Sequence, residues 1–116
     1  MADKAIHLDP YAVRPLLYKG MAAFAQNDYA GTVAFLDELV ARNPDFGGAY
    51  LFLAAAHAHQ GNMPDAKKAA ADVLRVSPGF ERGLARFWFV DRTVVSRLID
   101  GLRLAGLDVQ NPPPRE

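Results

Sequence analysis

The chain has 116 residues, which suits one domain, and 51% of them are apolar while 22% are charged, as in ordinary globular proteins. Lys plus Arg and Asp plus Glu number 13 each, so the formal net charge is zero, which disfavours a nucleic-acid binder because such proteins usually carry a basic excess. No cysteine is present, which excludes disulfides, thiolate zinc sites and a cysteine nucleophile.

The N-terminal segment, residues 1–10, reads MADKAIHLDP and contains no apolar stretch of signal-peptide length. No apolar run in the chain approaches the roughly 18 residues of a transmembrane helix, so we expect a cytoplasmic protein with no membrane partner. The segment resembles the stretches that precede Pro44 and Pro78, and we interpret it as the end of a partial repeat helix. We favour a chain that begins inside a longer protein over one whose stack simply starts with this partial helix.

Helix stops recur at a fixed interval along the chain. Pro10, Pro44 and Pro78 are evenly spaced, and proline cannot continue a helix interior. Each interval holds one further break, QNDY at 26–29 and QGNM at 60–63, and these two breaks are separated by the same interval as the prolines. Asp28 and Asn62 are plausible N-caps of the helix that follows each break. The pattern predicts helix, tight turn, helix and stop, twice over.

The pattern changes after Pro78, where residues 80–89 suggest a short helix and residues 91–107 suggest a longer one with Asp91 as its N-cap. Gly106 suits the left-handed position that ends a helix. A continuous apolar stripe runs along the longer helix, made of Val94, Val95, Leu98, Ile99, Leu102 and Ala105. The remaining surface is predicted to carry Arg92, Arg97, Asp100 and Arg103. We interpret residues 79–107 as a pair of C-terminal capping helices and not as a third full repeat.

The tail, residues 108–116, is polar and rich in proline, which predicts a flexible end. Alternatively, its three consecutive prolines are a ligand for a proline-binding domain.

A helix–turn–helix unit that recurs about every 34 residues and ends in proline resembles the tetratricopeptide repeat. The family's large residue early in the first helix corresponds to Leu16 and Tyr50, and its small residue one turn later to Gly20 and Ala54. The resemblance implies an all-α superhelical stack, with two repeats at about 13–46 and 47–80 within residues 11–78. The small residue of the second helix is Ala66 in one repeat and is replaced by Thr32 in the other.

No catalytic or cofactor motif is found, and we predict a protein that is not an enzyme and needs no cofactor. His57 and His59 are two residues apart, so on a helix they point about 200° apart and cannot reach one metal ion. Residues 61–68, GNMPDAKK, lack the spacing of a phosphate-binding loop, and no strand precedes them.

In the family that the chain resembles, the first helices of successive repeats line a concave groove that holds a peptide or protein. The residues carried over to that groove are Arg14, Leu17, Met21, Phe24, Leu51, Ala55 and His59. The groove is apolar, and exposing its large side chains would forgo about 1.5–3 kcal/mol each. A partner helix, a second copy or missing N-terminal repeats would cover it; alternatively, these residues are intramolecular core. Trp88, within three consecutive aromatic residues, is a candidate secondary contact.

The leading hypothesis is a non-catalytic scaffold that binds a protein or peptide segment along the concave face. A second copy of the chain is one candidate partner, which would give a homo-oligomer. The alternative is a C-terminal regulatory or oligomerisation segment of a larger bacterial signalling protein, since residues 5–107 resemble repeat regions attached to class III nucleotidyl cyclase domains. A helical-repeat RNA binder is a third hypothesis, which the neutral charge disfavours.

Overall fold

Helices account for the regular structure in residues 14–80 and 92–109, which are the residues that this computed structural model describes; no strand occurs among them. The helices are α1 (Arg14–Ala25), α2 (Tyr29–Arg42), α3 (Gly47–His59), α4 (Met63–Val76) and α5 (Arg92–Leu104). α1 packs on α2 and α3 on α4 as two hairpins, and α3 also packs on α2, which stacks the second hairpin on the first. The predicted all-α stack of hairpins is therefore confirmed.

The two hairpin turns lie where the sequence predicts them. α1 ends at Ala25, and Asn27 then adopts a left-handed conformation with a φ of 65°, which reverses the chain. The Asp28 side chain accepts a hydrogen bond from the Gly31 amide at 3.0 Å and so caps α2. In the second hairpin Gly61 takes the left-handed conformation, with a φ of 80°. Asn62 stands at the N-cap of α4, but its side chain caps no amide.

This difference between the turns predicts different costs of substitution. Asp28→Ala should lower the free energy of unfolding by about 0.5–2 kcal/mol, because the Gly31 amide loses its capping partner. Asn62→Ala, at the equivalent position of the other hairpin, removes no capping bond and should cost less than about 0.5 kcal/mol. Urea denaturation of both variants measures the difference, and equal losses would contradict it.

The first hairpin is packed closely where α1 crosses α2. A Cβ atom placed on Gly20 would lie 2.6 Å from Cδ2 of Leu36, a side chain that is fully buried. Beside it, the hydroxyl of Thr32 lies 3.1 Å from the carbonyl oxygens of both Gly20 and Asp28 and donates its one proton to them. Thr32 therefore fits in the buried position where the repeat pattern has a smaller residue, because its hydroxyl is hydrogen-bonded.

α3 is the central helix of the core, since it contacts α2, α4 and α5. Eight of its thirteen residues are buried, and small side chains dominate its middle, which allows neighbouring helices to approach closely. The buried residues are Ala49, Tyr50, Phe52, Leu53, Ala54, Ala55, Ala56 and Ala58.

The end of α5 forms the predicted glycine stop. Gly106 has a φ of 102°, and the Leu107 amide donates to the carbonyl oxygen of Leu102 at 3.0 Å, which is the bond of a Schellman motif. Val109, which the sequence assigned to the tail, is 3% exposed, and its carbonyl oxygen accepts a hydrogen bond from Arg103 Nε. The packed part of the chain thus extends at least to Val109.

Several predictions lie outside the described residues. They are the partial helix at 1–10, the short helix beyond Phe80, the Asp91 cap, Trp88 and the tail from residue 110 onward.

Candidate protein-binding site

The seven predicted groove residues differ in how far the structure buries them. Leu17, Met21 and Leu51 are partly buried and keep some of their surface open to solvent, and we call them the open end of the groove. Phe24 and Ala55 are both 0% exposed. Of the other two, Arg14 is exposed and His59 is partly buried. In this conformation Phe24 and Ala55 are fully covered, whereas the three side chains of the open end are covered only in part.

α5 covers Phe24 and Ala55. It packs along α3 on the face that carries Ala55 and His59. A Cβ atom built on Gly101 would lie 2.6 Å from the Cα atom of Ala55. One turn earlier in α5, the Arg97 carbonyl oxygen accepts a hydrogen bond from His59 Nε2 at 2.7 Å, so His59 carries a proton on Nε2. These two contacts show that α5 runs antiparallel to α3, with Gly101 opposite Ala55 and Arg97 opposite His59. The same register places Ala105 opposite Leu51.

The side chain of Arg97 anchors α5 to the end of α1. Its Nη1 donates to the Phe24 carbonyl oxygen at 2.9 Å and to Asn27 Oδ1 at 2.7 Å, and its Nη2 donates to the Ala25 carbonyl oxygen at 3.0 Å. The Tyr29 hydroxyl oxygen lies 3.0 Å from Nη1. The last carbonyls of a helix lack partners within the helix and carry partial negative charge, so a guanidinium suits this position.

Aromatic rings form the floor beneath this anchor. The Phe24 ring packs edge-on against Phe52, with centroids 5.4 Å apart, and the Arg97 Cζ atom lies 5.2 Å from the Phe24 centroid. The rings of Tyr29 and His59 are stacked, 4.9 Å apart and 16° from parallel. We call the surface formed by Phe24, Ala25, Asn27, Tyr29, Ala55 and His59 the α5 seat. It combines an apolar floor with a group of oxygen acceptors at one edge.

The sequence prediction for Arg97 is wrong. It assigned Arg97 to the solvated surface of its helix, whereas the side chain is partly buried and donates to the Phe24 carbonyl oxygen of α1, 73 positions earlier in the chain. Gly101 was not singled out, although a glycine inside a regular helix costs about 1 kcal/mol relative to alanine and often marks a close backbone approach. Gly101 was therefore a signal in the sequence that another helix approaches α5 closely at this position.

The opposite face of α3 borders a cleft of about 280 Å³ between α2, α3 and α4. Its lining is Asp37, Val40, Tyr50, Leu53, His57, Asp65, Lys68, Ala69 and Asp72. The Tyr50 hydroxyl donates to the Pro44 carbonyl oxygen at 2.7 Å, and burial raises the pKa of this hydroxyl. Asp65 accepts a hydrogen bond from Asn62, and Asp72 pairs with Arg75. Two of the three carboxylates in the lining, those of Asp65 and Asp72, therefore have partners within the chain.

Among residues 14–80 and 92–109, no three histidine or acidic side chains lie close enough to hold a metal ion together. None of the helices in the same ranges combines the length and the apolar character that crossing a bilayer requires.

The hairpins match the model of a known protein family. The family model described as "Tetratricopeptide repeat" matches residues 23–85, which is more than half of the 116-residue chain. The matched range runs from the end of α1 past the end of α4. Searches of curated proteins and of solved structures gave no significant match. Repeats of this family generally mediate protein–protein interactions and are typically non-catalytic.

Proposed function

Because the chain belongs to the tetratricopeptide repeat family, we propose that it is a non-catalytic scaffold that binds a segment of another protein along its concave face. The observation that carries this proposal is the open end of the groove. Leu17 and Leu51 hold equivalent positions in the two hairpins, one repeat length apart, and both side chains are only partly buried. Covering such a side chain completely would contribute a share of the roughly 1.5–3 kcal/mol of a fully buried residue.

Replacing Leu17 and Leu51 together by glutamate is expected to abolish binding, because two charges would have to be buried against an apolar partner. Affinity capture from the source cell, compared between wild type and variant, measures the effect on each recovered protein. Circular dichroism should show unchanged helix content, since neither side chain is fully buried in the free protein.

Leu74→Glu is the matched control, because Leu74 is also a helical leucine but lies on α4 and is 52% exposed. It should retain the partner that the double variant loses. If the double variant keeps every partner, the groove is not the binding surface.

The second proposal is that the chain is the regulatory or oligomerisation segment of a larger bacterial signalling protein acting in the cytoplasm. Its support is the resemblance of residues 5–107 to repeat regions beside class III nucleotidyl cyclase domains. In that case the groove would act on a neighbouring domain or on a second copy. Reading the genomic DNA before Met1 for an in-frame catalytic domain tests this role.

A further inference from the structure

We propose that the chain assembles head to tail: the outer face of the first hairpin in one copy binds the outer face of the second hairpin in the next copy. Both faces lie outside the groove, so this inference goes beyond the proposed function. The junction between the two hairpins inside the chain shows which positions meet when one hairpin stacks on another.

Two faces meet inside the chain at the cleft between α2, α3 and α4. The first hairpin contributes Asp37 and Val40 of α2, and the second hairpin contributes residues of α3 and α4. Because the hairpins are repeats of each other, each of these positions has an equivalent one repeat length away, on an outer face of the stack. The equivalents of Asp37 and Val40 are Ala71 and Leu74 on α4, and we call them the rear face.

The front face lies at the opposite end of the stack, on α1 and α2. It consists of the equivalents of Leu53 and of the four cleft residues of α4, namely Lys19, Gly31, Ala34, Phe35 and Glu38. Lys19, Ala34 and Glu38 are exposed, and the other two are partly buried. On the rear face Ala71 is exposed and Leu74 is 52% exposed. Both faces are therefore open at positions whose equivalents are paired inside the chain.

Charged residues of the internal cleft are replaced by small apolar residues on the outer faces. Asp37, Asp65 and Lys68 line the internal cleft, and their equivalents are an alanine, a glycine and an alanine. A terminal hairpin that faces only water needs a polar outer face. The loss of charge at three positions therefore favours a protein surface, and not solvent, as the neighbour of each outer face.

One position gains a charge, because Lys19 stands where the internal cleft has Leu53. Its Nζ atom lies 5.8 Å from the centroid of the Phe35 ring. Glu38, the acidic residue of the same face, pairs with Arg42 at 2.8 Å. Neither charge would be buried in the assembly without an interaction partner.

The sizes of the outer side chains also suit a contact. Phe35 stands where Ala69 borders the internal cleft of about 280 Å³, and Leu74 stands where Val40 borders it. A ring and a longer aliphatic side chain at these positions would fill the space that stays open in the internal junction. The junction between copies can therefore pack at least as tightly as the junction within the chain.

A second copy is the occupant that the two faces favour, because both halves of the contact lie on the same chain. The front and rear faces are at opposite ends of the two-hairpin stack, so they meet between molecules. α5 leaves the rear face open, since it packs on α3 and Leu74 of α4 stays exposed. The formal net charge of zero means that copies do not repel one another at long range.

Sedimentation equilibrium of the full-length chain measures the assembly. Because the contact joins two different faces, each added copy leaves one open face at each end, so the mean mass should keep rising with concentration and not stop at a dimer. Ala34→Glu blocks the front face and Leu74→Glu blocks the rear face, since each would bury a carboxylate against an apolar surface. Each variant alone should associate at least tenfold more weakly than wild type.

Mixing the two variants distinguishes a head-to-tail contact from a contact between identical faces. The Ala34→Glu chain keeps its rear face and the Leu74→Glu chain keeps its front face. The two should therefore combine about as tightly as wild-type copies do and stop at a one-to-one complex. If the mixture stays monomeric, or if either variant assembles alone as wild type does, the inference is wrong.

Leu104→Glu is the control, because Leu104 is also a leucine with 52% exposure but lies on α5, on neither face. It should assemble as wild type does. Lys19→Glu and Ala71→Glu are a second pair of front and rear variants with the same expected results, for use if circular dichroism shows that one of the first pair is unfolded. A wild-type chain that is monomeric at every concentration, or an equal loss of assembly in Leu104→Glu, would overturn the inference. Leu17 and Leu51 belong to neither face, so the groove proposal succeeds or fails separately.

Discussion

Replacing Phe24 by alanine is expected to lower the free energy of unfolding by about 3–5 kcal/mol, the range for removing a large aromatic side chain from a core. Phe24 is 0% exposed, and its ring packs edge-on against Tyr29 and Phe52 at centroid distances of 5.3 and 5.4 Å. The deletion leaves a cavity where α1, α2 and α3 meet. Domains are stable by only about 5–15 kcal/mol in total, so thermal denaturation followed by circular dichroism should show a much lower Tm.

The same variant should loosen α5, because the Phe24 ring supports the guanidinium of Arg97, whose Cζ atom lies 5.2 Å from the ring centroid. Tyr18→Ala is the control, since Tyr18 is an aromatic residue of the same helix but is 58% exposed. Its cost should stay within about 0.5 kcal/mol. Similar losses for the two variants would mean that Phe24 is not part of the core of the folded protein.

The repeats could be predicted from the sequence because the signals that define them are local. A proline or an Asn/Asp turn ends a helix through the backbone of its own few residues, so breaks at 26–29 and 60–63 can be found without knowledge of the tertiary fold. The left-handed Gly106 was predictable for the same reason.

The position of α5 could not be predicted in this way, because it depends on contacts between residues far apart in the chain. The amphipathic pattern shows that α5 has an apolar face but not which surface that face covers. Arg97 has the same local pattern as an exposed helical arginine, and only the folded chain brings it to the end of α1. Besides Gly101, a second indication was present: α3 is apolar on nearly every side, and such a helix is normally surrounded by other helices. The apolar surface of α3 therefore indicates that another helix covers the part of the groove around Ala55.

Gly101→Leu is expected to lower the free energy of unfolding by about 3 kcal/mol, at the upper end of the range for overpacked cores. The neighbouring atoms belong to the Ala55 backbone, so rotation of a side chain cannot relieve the overlap. α5 should separate from α3 first, which exposes the apolar side chains that α5 buries, among them Leu98, Ile99 and Leu102. Hydrogen exchange should then show faster exchange of the α5 amides than of the amides in α1 and α2.

Alanine substitutions separate this steric effect from helix propensity. Gly101→Ala gains up to about 1 kcal/mol of helix propensity but adds the same overlapping Cβ atom, so a net loss is expected. Gly48→Ala gains propensity without the overlap, because a Cβ atom there would lie 3.6 Å from the Phe46 ring, an ordinary contact distance. Gly48→Ala should therefore be neutral or stabilising in chemical denaturation. If Gly101→Ala is equally well tolerated, α5 does not approach α3 as closely as the seat requires.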